Sequence, residues 1–128
     1  MKLLTIPLLA LMLAGCELAY LGQEPDLARG EQALDRNDYS AALQEFRRLA
    51  ELGNADAQYY LGLMHSGGLG VVRDYGDAAT WYRKAAEKGQ ASAQASLGHV
   101  YDTGRGVAQN YHEARKWYRK AAEQGVAS

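Results

Sequence analysis

The chain has 128 residues, with 14 Lys and Arg against 15 Asp and Glu, for a formal net charge of −1. So even a balance leaves no general basic footprint and argues against a nucleic-acid binder. Its 1 cysteine excludes an internal disulfide, and a chain of about this size buries roughly two-thirds of its unfolded surface, enough for a core without one.

The chain opens on MKLLTIPLLALMLAGCELAY, where Lys2 precedes an almost uninterrupted apolar run over residues 3–14. The run is too short to span a bilayer and contains Pro7, so it reads as the core of a signal peptide over residues 1–15. Leu13-Ala14-Gly15-Cys16 resembles the lipobox of bacterial lipoproteins. That resemblance implies cleavage before Cys16 and lipidation of its thiol. Each buried methylene contributes about 0.8 kcal/mol and a single acyl chain holds only marginally, so two or three chains make a stable anchor. Glu17 follows the cysteine in place of the aspartate that resembles an inner-membrane retention signal, which favours the outer membrane, with the soluble part facing the periplasm. Residues 16–25 then read as a lipidated tether.

A helix is expected next, within residues 26–38, from the spacing of Ala28, Ala33 and Leu34 ahead of Asn37-Asp38. From Tyr39 onward the chain repeats itself. WYRKAAE occurs at residues 81–87 and again at 117–123, and residues 75–92 share twelve of eighteen positions with 111–128. Residues 39–74 share fourteen of thirty-six with 75–110, so the period is thirty-six. Periods of this length mark stacked supersecondary units. The units are residues 39–74, 75–110 and a half unit, 111–128, which is either a capping helix or a truncated unit.

Within a unit the periodicity is helical. Tyr75, Ala78, Ala79, Tyr82, Ala85 and Ala86 make one stripe, with Asp74 placed to cap its start and Gly89 its end. Ala93, Leu97, Val100 and Tyr101 make a second, which runs into the turn Thr103-Gly104-Arg105-Gly106. Ala42, Ala50, Ala55 and Ala57 recur as Ala78, Ala86, Ala91 and Ala93, and Gly62 as Gly98. Residues this small let helix axes approach, while Phe46, Tyr82 and Tyr118 supply bulk between layers. One unit alone would leave a face bare, and stacking the next unit covers it. The outer positions of the half unit turn polar, Leu43 and Ala79 becoming Arg115, as a terminal face requires.

The pattern D-Y-x-x-A-x-x-W-Y-x-K-A-A-E-x-G, then A-x-A-x-x-x-L-G, then G-x-G-V, resembles the Sel-one-like repeat, a subclass of the tetratricopeptide-like helical repeats. The first unit departs from it, with Glu45 where Trp81 and Trp117 follow and Leu49 where Ala85 and Ala121 follow. The resemblance implies an all-α fold, a short right-handed α-solenoid of antiparallel helix pairs, that binds an unidentified protein partner. Some cysteine-rich exported members have been linked to β-lactam binding or hydrolysis. This chain lacks their paired cysteines, and that enzyme is the alternative beside a purely structural envelope lipoprotein.

No residues are marked out for chemistry. Gly68 with Gly70 and Gly104 with Gly106 follow helices and precede no Lys-Ser or Lys-Thr pair, so they read as turn glycines and not as a phosphate loop. His65, His99 and His112 fall at different phases of the repeat and form no metal pair. No cofactor and no catalytic residue is expected. Arg47, Arg83 and Arg119 recur four residues before Glu51, Glu87 and Glu123, either as weak intrahelical ion pairs or as a cationic ladder. The position of Glu45, Trp81 and Trp117 is expected to be half-exposed in all three copies, since a carboxylate buried there would cost several kcal/mol. With Arg48, Asp77, Lys84, Lys88, Glu113 and Lys120 it forms the candidate partner-binding face. By the resemblance, the first helix of each unit lines a concave surface. The competing reading is that both tryptophans cover the seam between repeats with their polar edge showing.

Overall fold

A computed structural model describes residues 24–126 and gives, among them, six helices and no strand: α1 (Leu27–Asp35), α2 (Tyr39–Glu51), α3 (Ala55–Gly67), α4 (Tyr75–Glu87), α5 (Ala91–Thr103) and α6 (Tyr111–Glu123). The signal peptide, Cys16 and most of the tether lie outside the described residues. None of the described helices is long and apolar enough to cross a membrane.

The helix expected within residues 26–38 is α1. Its first turn is capped by Asp26, whose carboxylate accepts from the Ala28 N–H at 3.0 Å. Asp38, Asn54, Asp74, Gln90 and Asn110 cap α2 to α6 in the same way. At the other end of α4, Gly89 takes φ +93°, and the Gly89 and Gln90 N–H groups return to the Ala86 and Ala85 carbonyls. This is a Schellman closure, and its left-handed residue is one that only glycine enters without strain. Gln90 both completes it and caps α5, so the chain reverses with no loop to spare.

Each helix packs chiefly on its neighbours in sequence, as expected of a solenoid, with the pairs α1/α2, α3/α4 and α5/α6 the most closely packed. The reason is a joint made three times. A Cβ on Gly62 of α3 would stand 2.5 Å from the Tyr82 ring of α4, one on Gly98 of α5 2.8 Å from Tyr118 of α6, and one on Gly30 of α1 2.5 Å from Phe46 of α2. The aromatic ring lies directly on the bare backbone of the partner helix. The third joint shows that α1 is the counterpart of α3 and α5. It escapes a search at the period of thirty-six because the α1–α2 turn is four residues shorter than its counterparts.

Two apolar clusters result. One gathers Ala42, Phe46, Leu61 and Met64; the other gathers Ala78, Tyr82, Leu97 and Trp117. Gln58 and Gln94 are buried within this frame, 4% and 5% exposed, and donate to the Ala50 and Ala86 carbonyls at 3.1 and 3.2 Å. Each thereby gives a second hydrogen bond to a helix-end carbonyl that already accepts from the turn glycine, Gly53 or Gly89.

Candidate functional site

In each glycine pair of the interhelical loops the first, Gly68 or Gly104, ends its helix in the left-handed region at φ +65° or +70°, and the second is explained by close approach. Gly70 lies against Tyr39 and Gly106 against the Tyr75 carbonyl, where a Cβ would overlap it. Each loop is laid over the first residue of a preceding helix, which supports the turn-glycine reading.

The candidate face is partly taken up by the fold. Glu45 is half-buried, accepts from the Asp26 N–H at 3.0 Å and pairs with Arg29 at 3.4 Å, which ties α1 to α2. Trp81 is half-buried and packs on the first cluster. Trp117 is 4% exposed and belongs to the second. The expectation of half-exposure therefore holds for Glu45 and Trp81 and fails for Trp117. Its ring is enclosed by the apolar surface of the preceding repeat, with Lys116 and Lys120 lying 5.2 and 4.8 Å from the ring centroid. Both rings are thus seam residues, as the competing reading had it, but the polar edge of Trp117 does not show: its indole N–H is buried and finds no hydrogen-bond partner among the described residues.

Lys88 is also structural: its Nζ donates to the Gly53 carbonyl at 2.7 Å, and Gln124 makes the equivalent bond to Gly89 at 2.9 Å. Asp77 is exposed and faces His65 at 4.0 Å, while Glu113 pairs with Lys116 at 3.7 Å. None of the three Arg–Glu pairs forms an ion pair among the described residues, so the intrahelical-pair reading of Arg47, Arg83 and Arg119 is not met. Arg83 instead donates to the Tyr101 hydroxyl and lies 5.5 Å from its ring centroid. Arg47 and Arg119 are exposed and Arg83 is half-buried, whereas the row next to them is exposed in all three copies. Arg48, Lys84 and Lys120 fall thirty-six residues apart and are exposed, with Lys84 resting 4.6 Å from the Trp81 ring centroid.

Elsewhere, α3, α4, α5 and α6 leave between them a cavity of about 360 Å³. Tyr75, Tyr82 and Tyr118 form its aromatic walls, and His99 and Arg105 line it from α5 and the following loop. Burial raises the Tyr82 hydroxyl to about 12 despite its hydrogen bond to Ser66. Burial likewise raises Tyr118, and raises Tyr59, which bonds Ser96. No sequence signal at the helical period pointed here. The signal that would have served is the difference between copies, not their identity.

The architecture is that of an α-solenoid of repeated helical hairpins, with no metal-holding cluster among the described residues. The family model of the Sel1 repeat matches residues 55–90 and 91–126, and the chain belongs to that family. Sel1 repeat proteins are generally protein–protein interaction modules and non-enzymatic scaffolds. A Sel1 repeat protein from Oxalobacter formigenes is similar in structure, with TM-score 0.76 and 39% identity over 79% of this chain and 42% of that one. A protective antigen present in uropathogenic Escherichia coli strains gives 0.77 and 40% over 86% of this chain and 25% of that one. Helicobacter pylori cysteine rich protein B gives 0.64 and 28% over 66% and 64%. This chain thus spans less than half of the first two. Among proteins of curated function, none matches the sequence.

The family unit begins at Ala55, half a repeat away from a division at Tyr39 and Tyr75. Its two helices are α3 with α4 and α5 with α6, the pairs that the glycine–aromatic joints hold together. Trp81 and Trp117 therefore lie on second helices. The rule that assigns the first helices to the concave surface points to α3 and α5 instead.

Proposed function

We infer that this chain is a lipid-anchored envelope protein, with the outer membrane favoured and its helical repeats facing the periplasm, that acts as an adaptor or assembly factor for a protein partner. The observation that carries the adaptor reading is the division of labour among recurring residues. Small residues, aromatics and caps are consumed by joints, whereas Arg48, Lys84 and Lys120 recur at one position and remain exposed. A cation per repeat, with Lys84 and Lys120 resting on the seam tryptophans, suits an acidic surface on the partner. The anchoring reading is supported by Leu13-Ala14-Gly15-Cys16 in the sequence.

Cross-linking and pull-down from intact cells tests the adaptor reading. Lys84→Glu with Lys120→Glu is expected to release a specific partner while the circular dichroism spectrum stays helical. Capture of the same proteins by both forms would overturn it. Cys16→Ser is expected to move the protein from the membrane to the soluble fraction, and retention in the membrane would remove the anchor.

A further inference from the structure

The cavity between α3, α4, α5 and α6 lies where the two repeats differ in ring content. In the first repeat the corresponding space is filled by rings. Phe46 stacks on Tyr60 with centroids 4.6 Å apart, and Tyr59 approaches Tyr82 at 6.1 Å. One period later, Tyr82 and Tyr118 stand in the places of Phe46 and Tyr82, but Tyr59 and Tyr60 have become Ala95 and Ser96. Two of four rings are gone, and the cavity of about 360 Å³ is what their loss leaves. At its mouth, Leu63 and Leu69 have become His99 and Arg105.

Truncation alone would be a packing defect. Truncation together with two basic residues at the mouth gives the hole a chemistry. Arg105 is held over the Tyr75 ring at 5.4 Å from the centroid, and Arg73 lies 5.9 Å from the same ring. The hydroxyls of Ser66, Ser96 and Thr103 are engaged by Tyr82, Tyr59 and the His99 carbonyl. Among the described residues, the His99 ring and the Arg105 guanidinium make no hydrogen bond or ion pair, and no aspartate or glutamate lines the cavity. The volume lies within the roughly 300–1,000 Å³ range of ligand pockets.

We propose that this cavity is a binding site for an aromatic side chain with a carboxylate beside it, presented by a peptide of the protein partner. The ring takes the place that Tyr59 and Tyr60 fill in the first repeat, against Tyr82 and Tyr118. The carboxylate, from an acidic side chain or a chain end, meets the guanidinium of Arg105 in a charge-assisted pair. The proposal rests on the adaptor reading for its partner.

The test uses N-acetylphenylalanine as the minimal probe, titrated into the full chain and followed by amide NMR shifts. Saturable shifts are expected at Ser96, His99 and Arg105. Affinity is expected to fall at least about tenfold for N-acetylphenylalaninamide, for acetate, and for the Arg105→Leu variant with the original probe. Ala95→Tyr with Ser96→Tyr is expected to abolish binding and to remain folded, because the first repeat carries those residues at the same positions. Absence of saturable shifts, equal binding of the neutral amide, or undiminished binding by the filled variant would each overturn the proposal. In the pull-down, a partner lost by Lys84→Glu with Lys120→Glu but kept by the filled variant would overturn the cavity as its seat and leave the adaptor reading standing. Loss in the filled variant supports both.

Discussion

The joint between Gly62 and Tyr82 concentrates, in one pair of residues, what lets two helices lie this close. Since a Cβ on Gly62 would come within 2.5 Å of the Tyr82 ring, Gly62→Ala must push the ring or the helices apart. Overpacking of this kind costs about 1–3 kcal/mol, and urea unfolding is expected to show it as a lower midpoint with an unchanged slope. The same ring carries a pH prediction. Burial raises Tyr82 to about 12, whereas the unfolded residue titrates near 10.0, so the folded state keeps a proton that the unfolded state releases. The contribution of Tyr82 to stability is therefore fully present below pH 10 and is lost as pH rises toward 12. Tyr59, Tyr60 and Tyr118 are raised in the same direction, chiefly by burial, and add to the decline. Thermal melts across this interval should show falling midpoints, and Tyr82→Phe should flatten the fall. The recurrence of Gly62 as Gly98, with bulk at Tyr82 and Tyr118, makes this joint visible in the sequence. That a glycine and an aromatic twenty residues apart face each other is visible only once the hairpin is folded.

A helix such as α4 is delimited by its two ends, which act through different physics. Asp74 accepts from the Asp77 N–H at 3.0 Å, so Asp74→Ala strands a donor and is expected to cost about 1 kcal/mol. At Gly89 nothing lies within 4 Å of an added Cβ, so Gly89→Ala meets no clash and costs only the strain of φ +93°, roughly 1–2 kcal/mol. The sites are about 20 Å apart along the helix, and the double variant should lose the sum, as read from chemical denaturation. These ends were legible because aspartate and glycine advertise them. The cap on α5 was not, since Gln90 is no usual capping residue, and it serves by accepting at its side-chain carbonyl from the Ala93 N–H at 2.6 Å. The polar roles of Gln58 and Gln94 were hidden for a related reason. A buried glutamine on an otherwise apolar face is explained by the second hydrogen bond it gives a carbonyl at the end of the neighbouring helix, and sequence spacing alone does not name that carbonyl.

At the scale of the molecule the question is whether two clusters make one cooperative unit. A tryptophan in two copies and a glutamate in the third pointed to a half-exposed face, because a residue-by-residue comparison assumes that equivalent positions share one environment. They do not here: Glu45 has α1 and its Arg29 to pair with, whereas Trp117 meets the apolar surface of the repeat before it. The seam is where the clusters touch. Tyr59 and Leu63 of α3 pack on the second cluster, and Trp81 of α4 reaches back onto the first. In a solenoid, stability is a sum of unit and interface contributions, and a strong interface makes adjacent units unfold together. Backbone ellipticity and the fluorescence of buried Trp117 are therefore expected to follow one coincident transition in Trp81→Phe, which keeps a ring in the seam. Trp81→Ala removes that ring and should cost about 2 kcal/mol, less than the roughly 3–5 kcal/mol typical of a fully buried tryptophan. It should also separate the transitions. Ellipticity would then be lost in two steps, the first from α1 to α3 with their cover gone, while Trp117 reports only the second. Coincident curves in Trp81→Ala would mean that Tyr59 and Leu63 suffice to couple the repeats, and the weight of the seam would shift from α4 to α3.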